Sequence, residues 1–252
     1  MSWGIDPLIR QAIRRVQRRL FQINPTEISF AKRGFRSGSE EAQDHLEHIG
    51  TCFLHGYHAA ISEFDDAGLT DKLDTLSLKY QGFGFEGAAM AYGLLDALFP
   101  TTKNRLQAFH EGSGASHSYM LHVGYGWAVA RIPWLRWTLG RQIARFDPLN
   151  RWLIVDGLGF HEGYFHWSKW HRHRKSPPPF SGYVSKAFDQ GLGRSLWFVC
   201  GSDVHEIVRS VAEFSEHRQA DLWSGIGLAA AYAGGASDED LHALTASAGE
   251  RA

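Results

Sequence analysis

The chain has 252 residues, of which 44% are hydrophobic and 21% are charged, and its formal net charge is −1. These values are close to those of soluble globular proteins and exclude disordered, collagen-like and coiled-coil chains, and the near-zero charge gives no sign of nucleic-acid binding. No apolar run reaches the roughly 18 residues of a membrane-spanning helix, the first twenty residues lack the apolar core and cleavage site of a signal peptide, and Cys52 and Cys200 form no disulfide framework. We therefore expect a cytoplasmic protein.

The N-terminal region, residues 1–36, carries eight Lys or Arg and only two acidic residues. Its apolar residues recur at helical spacing from Leu8 to Phe21, with arginines between them, which predicts a basic amphipathic helix. Such a helix can lie on an anionic membrane, dock on an acidic partner or pack on its own domain. We expect it to lie outside the core, with these arginines exposed: Arg14, Arg15, Arg18 and Arg19. Peripheral contact with the inner face of the membrane is kept as an alternative.

Residues 37–252 are predicted to form a single all-α domain. Sustained period-2 alternation is absent, and the apolar segments are rich in Ala, Leu and Gly rather than in β-branched residues. Proline and glycine breakers separate these segments, and Ser237-Asp238-Glu239-Asp240 is typical of a helix start, with acidic residues in the first turn.

Within apolar segments a Gly-x-Gly pattern recurs five times at spacings of 42, 33, 34 and 34 residues, at Gly82/Gly84, Gly124/Gly126, Gly157/Gly159, Gly191/Gly193 and Gly225/Gly227. A period near 34 residues is the length of a helical hairpin, which predicts stacked helical hairpins, either α-solenoid-like or in a compact helical-repeat domain. Because glycine weakens a helix, the pairs indicate either close helix contacts or backbone lining a tunnel. No pair continues into a nucleotide-binding fingerprint, so nucleotide binding is excluded.

Ionisable residues recur at related positions around these pairs. Counting from the first glycine, Glu86 and His161 fall at +4, and His122 and Asp189 fall at −2. Charges in such apolar segments are costly to bury unless they are paired, so they indicate either an internal network, with Arg194 paired to Asp189 or Asp221, or a lined cavity. The candidate catalytic residues are Glu86, His122, His161, Asp189, Arg194 and Asp221. The candidate substrate-binding aromatic residues are Phe83, Phe85, Tyr119, Trp127, Phe160 and Trp197.

The sequence identifies no cofactor. The HExxH motif and paired Glu-x-x-His motifs are absent, so no standard metal signature is present. An iron or zinc site is kept as an alternative, with these candidate ligands: Glu86, His122, His161 and Asp189.

Seven blocks carry a resemblance: AKRGF (31–35), FLHGY (53–57), GFGFEGAAMA (82–91), YMLHVGYGWAVAR (119–131), DGLGFHEGYF (156–165), DQGLGRSLWFVCGSD (189–203) and ADLWSGIGLAAAYAGG (220–235). They resemble the UnbL-type enediyne biosynthesis family, a bacterial domain of unknown function encoded beside enediyne polyketide synthases. The resemblance spans essentially the whole chain. Members usually extend further at the C-terminus, so we expect a final repeat to be missing or shortened here.

The resemblance implies a role in converting a long polyene into the enediyne core, alongside membrane-bound proteins of the same gene cassette. One hypothesis is an enzyme that binds the polyene in an aromatic-lined cavity, where His122 or His161 transfers a proton, poised by Asp189 or Glu86. Alkyne formation is oxidative and would also need a metal, a flavin or an electron-transferring partner. The alternative is a non-catalytic helical adaptor that presents the polyene, or a carrier protein, to a membrane-bound oxidising partner.

Overall fold

The computed structural model describes residues 15–36, 38–63, 66–99, 104–172 and 180–249. Most of these residues are helical and none of them forms a β-strand, so the predicted all-α class is confirmed. Within the same ranges, no helix combines the length and the apolar character needed to cross a bilayer.

The α-helices, numbered in chain order, are α1 Phe30–Arg33, α2 Glu40–Ser62, α3 Asp66–Leu73, α4 Leu78–Leu98, α5 Arg105–Glu111, α6 Ser118–Arg131, α7 Pro133–Trp137, α8 Leu139–Ile143, α9 Trp152–Phe165, α10 Tyr183–Val199, α11 Val204–Ala212, α12 Glu216–Ala233 and α13 Asp238–Ala248. Two 3-10 turns span Pro25–Ile28 and Ala115–His117, and a π-helical turn spans Ser168–Arg172. Residues 15–21 are also helical.

Local sequence signals set several helix ends. The hydroxyl of Ser39 accepts a hydrogen bond from the Ala42 backbone N–H and caps α2. Ser237 and Asp240 form a capping box at α13, in the segment where the sequence predicts a helix start. Helix α1 ends at Gly34, which takes a left-handed conformation with φ of 67°.

The six longest helices, α2, α4, α6, α9, α10 and α12, pack one against the next in chain order. Contacts between α6 and α9 advance in the same direction along both helices: Val123 meets Gly157, Trp127 meets His161, and Arg131 meets Phe165. These two neighbours therefore run parallel. The prediction that the Gly-x-Gly segments are helices packed in sequence order is confirmed.

Glycine pairs allow these helices to approach closely. A Cβ on Gly157 would overlap the carbonyl oxygen of Val123 on α6, and a Cβ on Gly159 would overlap that of Phe188 on α10. Residues two apart on a helix point about 200° apart, so each glycine of the pair faces a different neighbour. On α12, the last of the six, Gly227 has no other described atom within 4 Å of such a Cβ. The close-contact interpretation of the pairs therefore accounts for their spacing.

The row of helices curves until its last member meets its first ones. The His45 ring on α2 donates a hydrogen bond through Nε2 to the Ala233 carbonyl oxygen, at 2.6 Å. The rings of Phe83 on α4 and Tyr232 on α12 stack with centroids 5.1 Å apart. The arrangement is a closed compact domain rather than an open α-solenoid. The segments that join the long helices differ in length and structure. A uniform repeat of 34-residue hairpins is therefore not confirmed and stays a prediction.

The described part of the N-terminal region packs on this domain. Phe30 is buried in the core, and the Arg36 backbone N–H donates to the Val199 carbonyl oxygen at 3.0 Å. Three of the predicted arginines are exposed, Arg15, Arg18 and Arg19. Arg14 and the rest of residues 1–14 lie outside the described residues. The lead-in to α2 is thus part of the folded unit, and it supplies one wall of the cavity described next.

Candidate functional site

An aromatic cavity opens on the inside of the closed row of helices. Its aromatic walls are Phe53, Phe83, Trp127, Phe160, Tyr164, Phe165, Phe198 and Tyr232, and aliphatic side chains such as Ile23, Ile28, Ile49 and Met90 fill the gaps. The cavity volume is about 50 Å³, so the cavity is a narrow slot between these rings. Three predicted substrate-binding residues line it: Phe83, Trp127 and Phe160.

The other three predicted aromatic residues do not reach the cavity. Phe85 is two residues from Phe83 on α4, so it faces the other way and stacks on the rings of Phe109 and His117. Tyr119 is 64% exposed on the outside of the domain. The Trp197 indole is buried, and its Nε1–H donates to the Gly234 carbonyl oxygen at 2.8 Å. Helix orientation turns these three residues away from this cavity, and their role in substrate binding stays a prediction.

Glu86 brings a carboxyl group to this apolar wall. The residue lies on α4, is only 3% exposed and makes no salt bridge with any described residue. The pKa of Glu86 is raised to about 7, chiefly by burial; Arg194 opposes the shift, Asp156 adds to it, and an interaction with the Trp127 indole opposes it. The Trp127 Nε1–H has no hydrogen-bond partner of good geometry among the described residues. Near neutral pH the Glu86 carboxyl therefore exists in both protonation states.

A buried ion pair lies behind Glu86. Arg194 on α10 pairs with Asp156 on α9 and donates to the Tyr232 hydroxyl at 2.5 Å. Burial alone would lower the pKa of Arg194, but Asp156, Tyr232 and Glu86 raise it, so the guanidinium stays protonated. Burial raises the pKa of Asp156, and Arg194 opposes that shift. One cation therefore serves two carboxyl groups, and Asp156 holds it more closely than Glu86 does.

The prediction that Arg194 pairs with Asp189 or Asp221 is wrong. Asp189 instead accepts two hydrogen bonds from Arg218, at 2.7 and 2.5 Å, across the interface of α10 and α12. Asp189 and Arg194 both lie on α10 but face different neighbours. Asp221 is half-buried, and this partial burial raises its pKa. Neither carboxylate lines the aromatic cavity.

His161 lies behind the cavity wall, where its ring contacts the edge of Trp127 with centroids 5.6 Å apart. The Arg131 Nε–H donates to His161 Nε2 at 3.3 Å, and Arg131 itself lines the cavity. Burial lowers the pKa of His161 well below its usual value, and Arg131 lowers it further, so the ring is neutral at pH 7. In this neutral state His161 Nε2 accepts the hydrogen bond from Arg131, so this nitrogen is not free to take a proton from a ligand.

His122 lies at a different place, in a polar surface groove that also contains His110 and Asp147. Its Nδ1–H donates to the Ser118 carbonyl oxygen at 2.7 Å, and its buried Nε2 has no hydrogen-bond partner among the described residues. Burial lowers the pKa of His122, with an opposing contribution from the Ser118 bond. The groove and the aromatic cavity share no lining residue.

The candidate metal ligands do not converge. Glu86 lines the aromatic cavity, His122 lines the polar groove, and Asp189 is bound to Arg218. Within the described ranges, no group of three or more His, Cys, Asp or Glu side chains is placed to hold a metal ion. The physical reason is helix geometry, because positions −2 and +4 lie about 120° apart around one helix.

Sequence reasoning missed several residues of the site as functional candidates. Asp156 had a signal, because it is the only charge in the apolar segment WLIVDGLGF. No sequence signal marked Arg131 or Tyr232, since an arginine at a helix end and a tyrosine among alanines are common in any helical protein. Their proximity to Glu86 and His161 depends on which helices become neighbours.

Comparison with known proteins gives one match. The model of a family described as "Protein of unknown function (DUF1702)" matches residues 12–252, a range that includes every described residue of the cavity. No curated protein and no solved structure matches the chain. The chain therefore belongs to the DUF1702 family.

Proposed function

We propose that this protein binds a thin, unsaturated hydrocarbon chain in the aromatic cavity and that Glu86 transfers a proton to or from it. The observation that carries the proposal is a carboxyl group, 3% exposed, on the wall of a slot lined by aromatic rings. Aromatic faces and edges pack well against flat conjugated chains. A group whose pKa is about 7 can act as both acid and base at neutral pH, which is what general acid–base catalysis requires.

The neighbouring groups support this role for Glu86. Arg194 remains charged beside it, so it would stabilise the carboxylate that forms when Glu86 gives up its proton. Asp156 prevents Arg194 from ionising Glu86 permanently, because the two carboxyl groups compete for one cation. A proton added at one carbon of a conjugated chain and removed at another shifts its double bonds without an oxidant. Double-bond migration is therefore the reaction class that this arrangement supports best.

The resemblance to the UnbL-type family suggests which chain is bound. In that setting the ligand is the polyene precursor of an enediyne core. The oxidative steps that introduce alkynes would need an electron acceptor, which another protein of the cassette would supply. This chain would bind the polyene and set its double-bond pattern for those steps.

The test uses the polyene released by an enediyne polyketide synthase, incubated with the protein in D2O. Wild-type protein should incorporate deuterium into the polyene, measured by mass spectrometry. Glu86→Gln should retain binding and lose incorporation, and Glu239→Gln, a change of an exposed glutamate on α13, should behave as wild type. Equal deuterium incorporation by wild type and Glu86→Gln would overturn the catalytic role of Glu86.

A second candidate function is presentation of the ligand at a membrane surface. Val16 is 55% exposed and Leu20 is 66% exposed, one helical turn apart and next to Arg15 and Arg19. An adaptor of this kind would tolerate Glu86→Gln without loss of product in the reconstituted pathway. Flotation with anionic liposomes at low salt tests the contact, and Leu20→Glu should reduce it if these side chains touch the bilayer.

A further inference from the structure

Charged residues of both signs meet at the mouth of the aromatic cavity, where the exposed Arg131 and the half-buried Glu27 line it and Arg33 lies beside them. The guanidinium carbons of Arg33 and Arg131 lie 4.5 and 5.3 Å from the centroid of the same ring, that of Phe165. Phe165 and Arg131 both line the cavity. Two cations thus share one aromatic ring at the entrance to an apolar slot.

These charges are only partly balanced. Arg33 pairs with Glu27, and the same carboxylate lies 3.2 Å from the Lys32 ammonium group. Arg131 has no carboxylate within 4 Å among the described residues, and its one side-chain hydrogen bond goes to the neutral ring of His161. Burial lowers the pKa of Arg33, and Arg131 lowers it further. Like charges held together with too few counter-charges favour an added anion.

Arg131 is arranged to bind such an anion. Its Nε donates to His161, which orients the guanidinium, and its two terminal nitrogens make no hydrogen bond to any described residue. Arginine binds carboxylates through two parallel hydrogen bonds of this kind. Arg131 and Glu86 line one slot, so a ligand held by its end group at Arg131 would extend its chain along the aromatic walls.

We propose that the mouth of the cavity binds the carboxylate end of a linear unsaturated acid, with Arg131 as the specificity-determining residue and His161 as its positioning residue. This inference rests on the proposed function and adds to it the class of ligand. It also assigns a use to the buried His161 other than proton transfer.

The test uses parinaric acid, a conjugated fluorescent tetraene with a free carboxylate, and its methyl ester, at pH 7.5. Wild-type protein should bind both and should prefer the acid. Arg131→Gln should weaken binding of the acid by roughly 10- to 100-fold, the range expected for loss of a charge-assisted pair, and leave the ester unchanged. Arg141→Gln, a change of an exposed arginine on α8, is the matched control and should alter neither.

Two further measurements keep the outcomes separate. Arg131→Lys keeps the charge without the paired donors and should bind the acid with intermediate affinity. Displacement of parinaric acid by dodecanoate and by dodecyl phosphate distinguishes the two kinds of anionic end group, and a strong preference for the phosphate would overturn the carboxylate assignment.

Failure of the inference differs from failure of the proposed function. Ile23→Trp is designed to fill the slot. If wild-type protein binds the ester and Ile23→Trp does not, the result supports the hydrocarbon-binding site. Equal loss of acid and ester in Arg131→Gln, or no loss of either, would then overturn the carboxylate site alone. If neither probe binds to wild-type protein, the proposed function fails as well.

Discussion

Two buried ion pairs occupy neighbouring helix interfaces and differ in what surrounds them. Arg218 and Asp189, between α10 and α12, meet through two hydrogen bonds that use both carboxylate oxygens. Arg194 and Asp156, between α9 and α10, meet through one, and both Asp156 Oδ2 and Arg194 Nε lack a partner among the described residues. In the first pair both carboxylate oxygens have a partner, and we call this pair complete; in the second pair one carboxylate oxygen has none, and we call it incomplete.

Under the proposed function, the difference separates a pair that only joins helices from a pair that also acts on Glu86. A completed pair holds two helices and has no capacity left for a ligand. The Arg194 guanidinium also donates a hydrogen bond to the Tyr232 hydroxyl and lowers the pKa of Glu86. Its charge therefore affects two residues that line the aromatic cavity. Burial next to a specific charged neighbour is a common cause of shifted carboxyl pKa values at functional sites. We expect the two pairs to respond differently to substitution.

The largest effect is expected at the complete pair. Asp189→Asn leaves the buried Arg218 charge without its counter-charge, and such a loss typically costs about 3–5 kcal/mol of unfolding free energy. In a chain of this size that lowers the melting temperature by roughly 10 °C, measurable by calorimetry. Replacing both partners, as Asp189→Leu with Arg218→Met, should restore most of the loss. A double variant as unstable as the single one would contradict this account.

The pH dependence of stability should carry the signature of Glu86. Its folded pKa of about 7 lies above the usual value of 4.5, so the unfolded state releases this proton first as the pH rises. The unfolding free energy of wild type relative to Glu86→Gln should therefore fall between about pH 4.5 and pH 7 and stay constant above. The total fall is about 3 kcal/mol at most, by linkage. Denaturant titrations at several pH values measure it, and a flat difference would argue against a raised pKa.

A smaller effect is expected at the incomplete pair. Asp156→Asn frees Arg194 to take Glu86 as its counter-charge, so the stability loss should be about 1–3 kcal/mol, less than for Asp189→Asn. The same change should lower the pKa of Glu86, because Asp156 raises it and Arg194 lowers it. Carbon-13 NMR of the glutamate carboxyl groups can follow this shift. A loss equal to that of Asp189→Asn would make the two pairs equivalent.

The smallest effect is expected at Asp221, which is half-buried and makes no ion pair among the described residues. Asp221→Asn should change the unfolding free energy by no more than about 0.5 kcal/mol, as for most surface substitutions. It should also leave deuterium incorporation into the polyene unchanged, because Asp221 does not line the cavity. A loss of incorporation without loss of stability would return Asp221 to the candidate site.

The fold was largely predictable because its signals are local. Helix class follows from composition and spacing, and the glycine pairs mark where helices meet, since only glycine lets two backbones approach so closely. The aromatic half of the site was partly predictable for the same reason. Phe83, Trp127 and Phe160 lie near the glycines that bring α4, α6 and α9 together.

For the ionisable residues of the site, the sequence predicted that they are buried but not which residues they contact. Five of the six candidate catalytic residues are buried, as the apolar character of their segments indicates, and Asp221 is not. Their partners were not predictable, because pairing depends on how each helix is rotated against its neighbours. The candidate residues around the glycines therefore meet Asp156 in one interface, Arg218 in another and Arg131 in a third.

The sequence by itself determined that the chain is helical, that its glycine pairs pack helices closely and that aromatic and ionisable residues lie at those contacts. Each of these follows from the preferences of single residues and from short-range periodicity. Only the tertiary structure decided that the row of helices closes, that Glu86 faces the resulting slot and that Arg131 lies at its mouth. Closure is a contact between α4 and α12, helices far apart along the chain, so no local pattern can encode it.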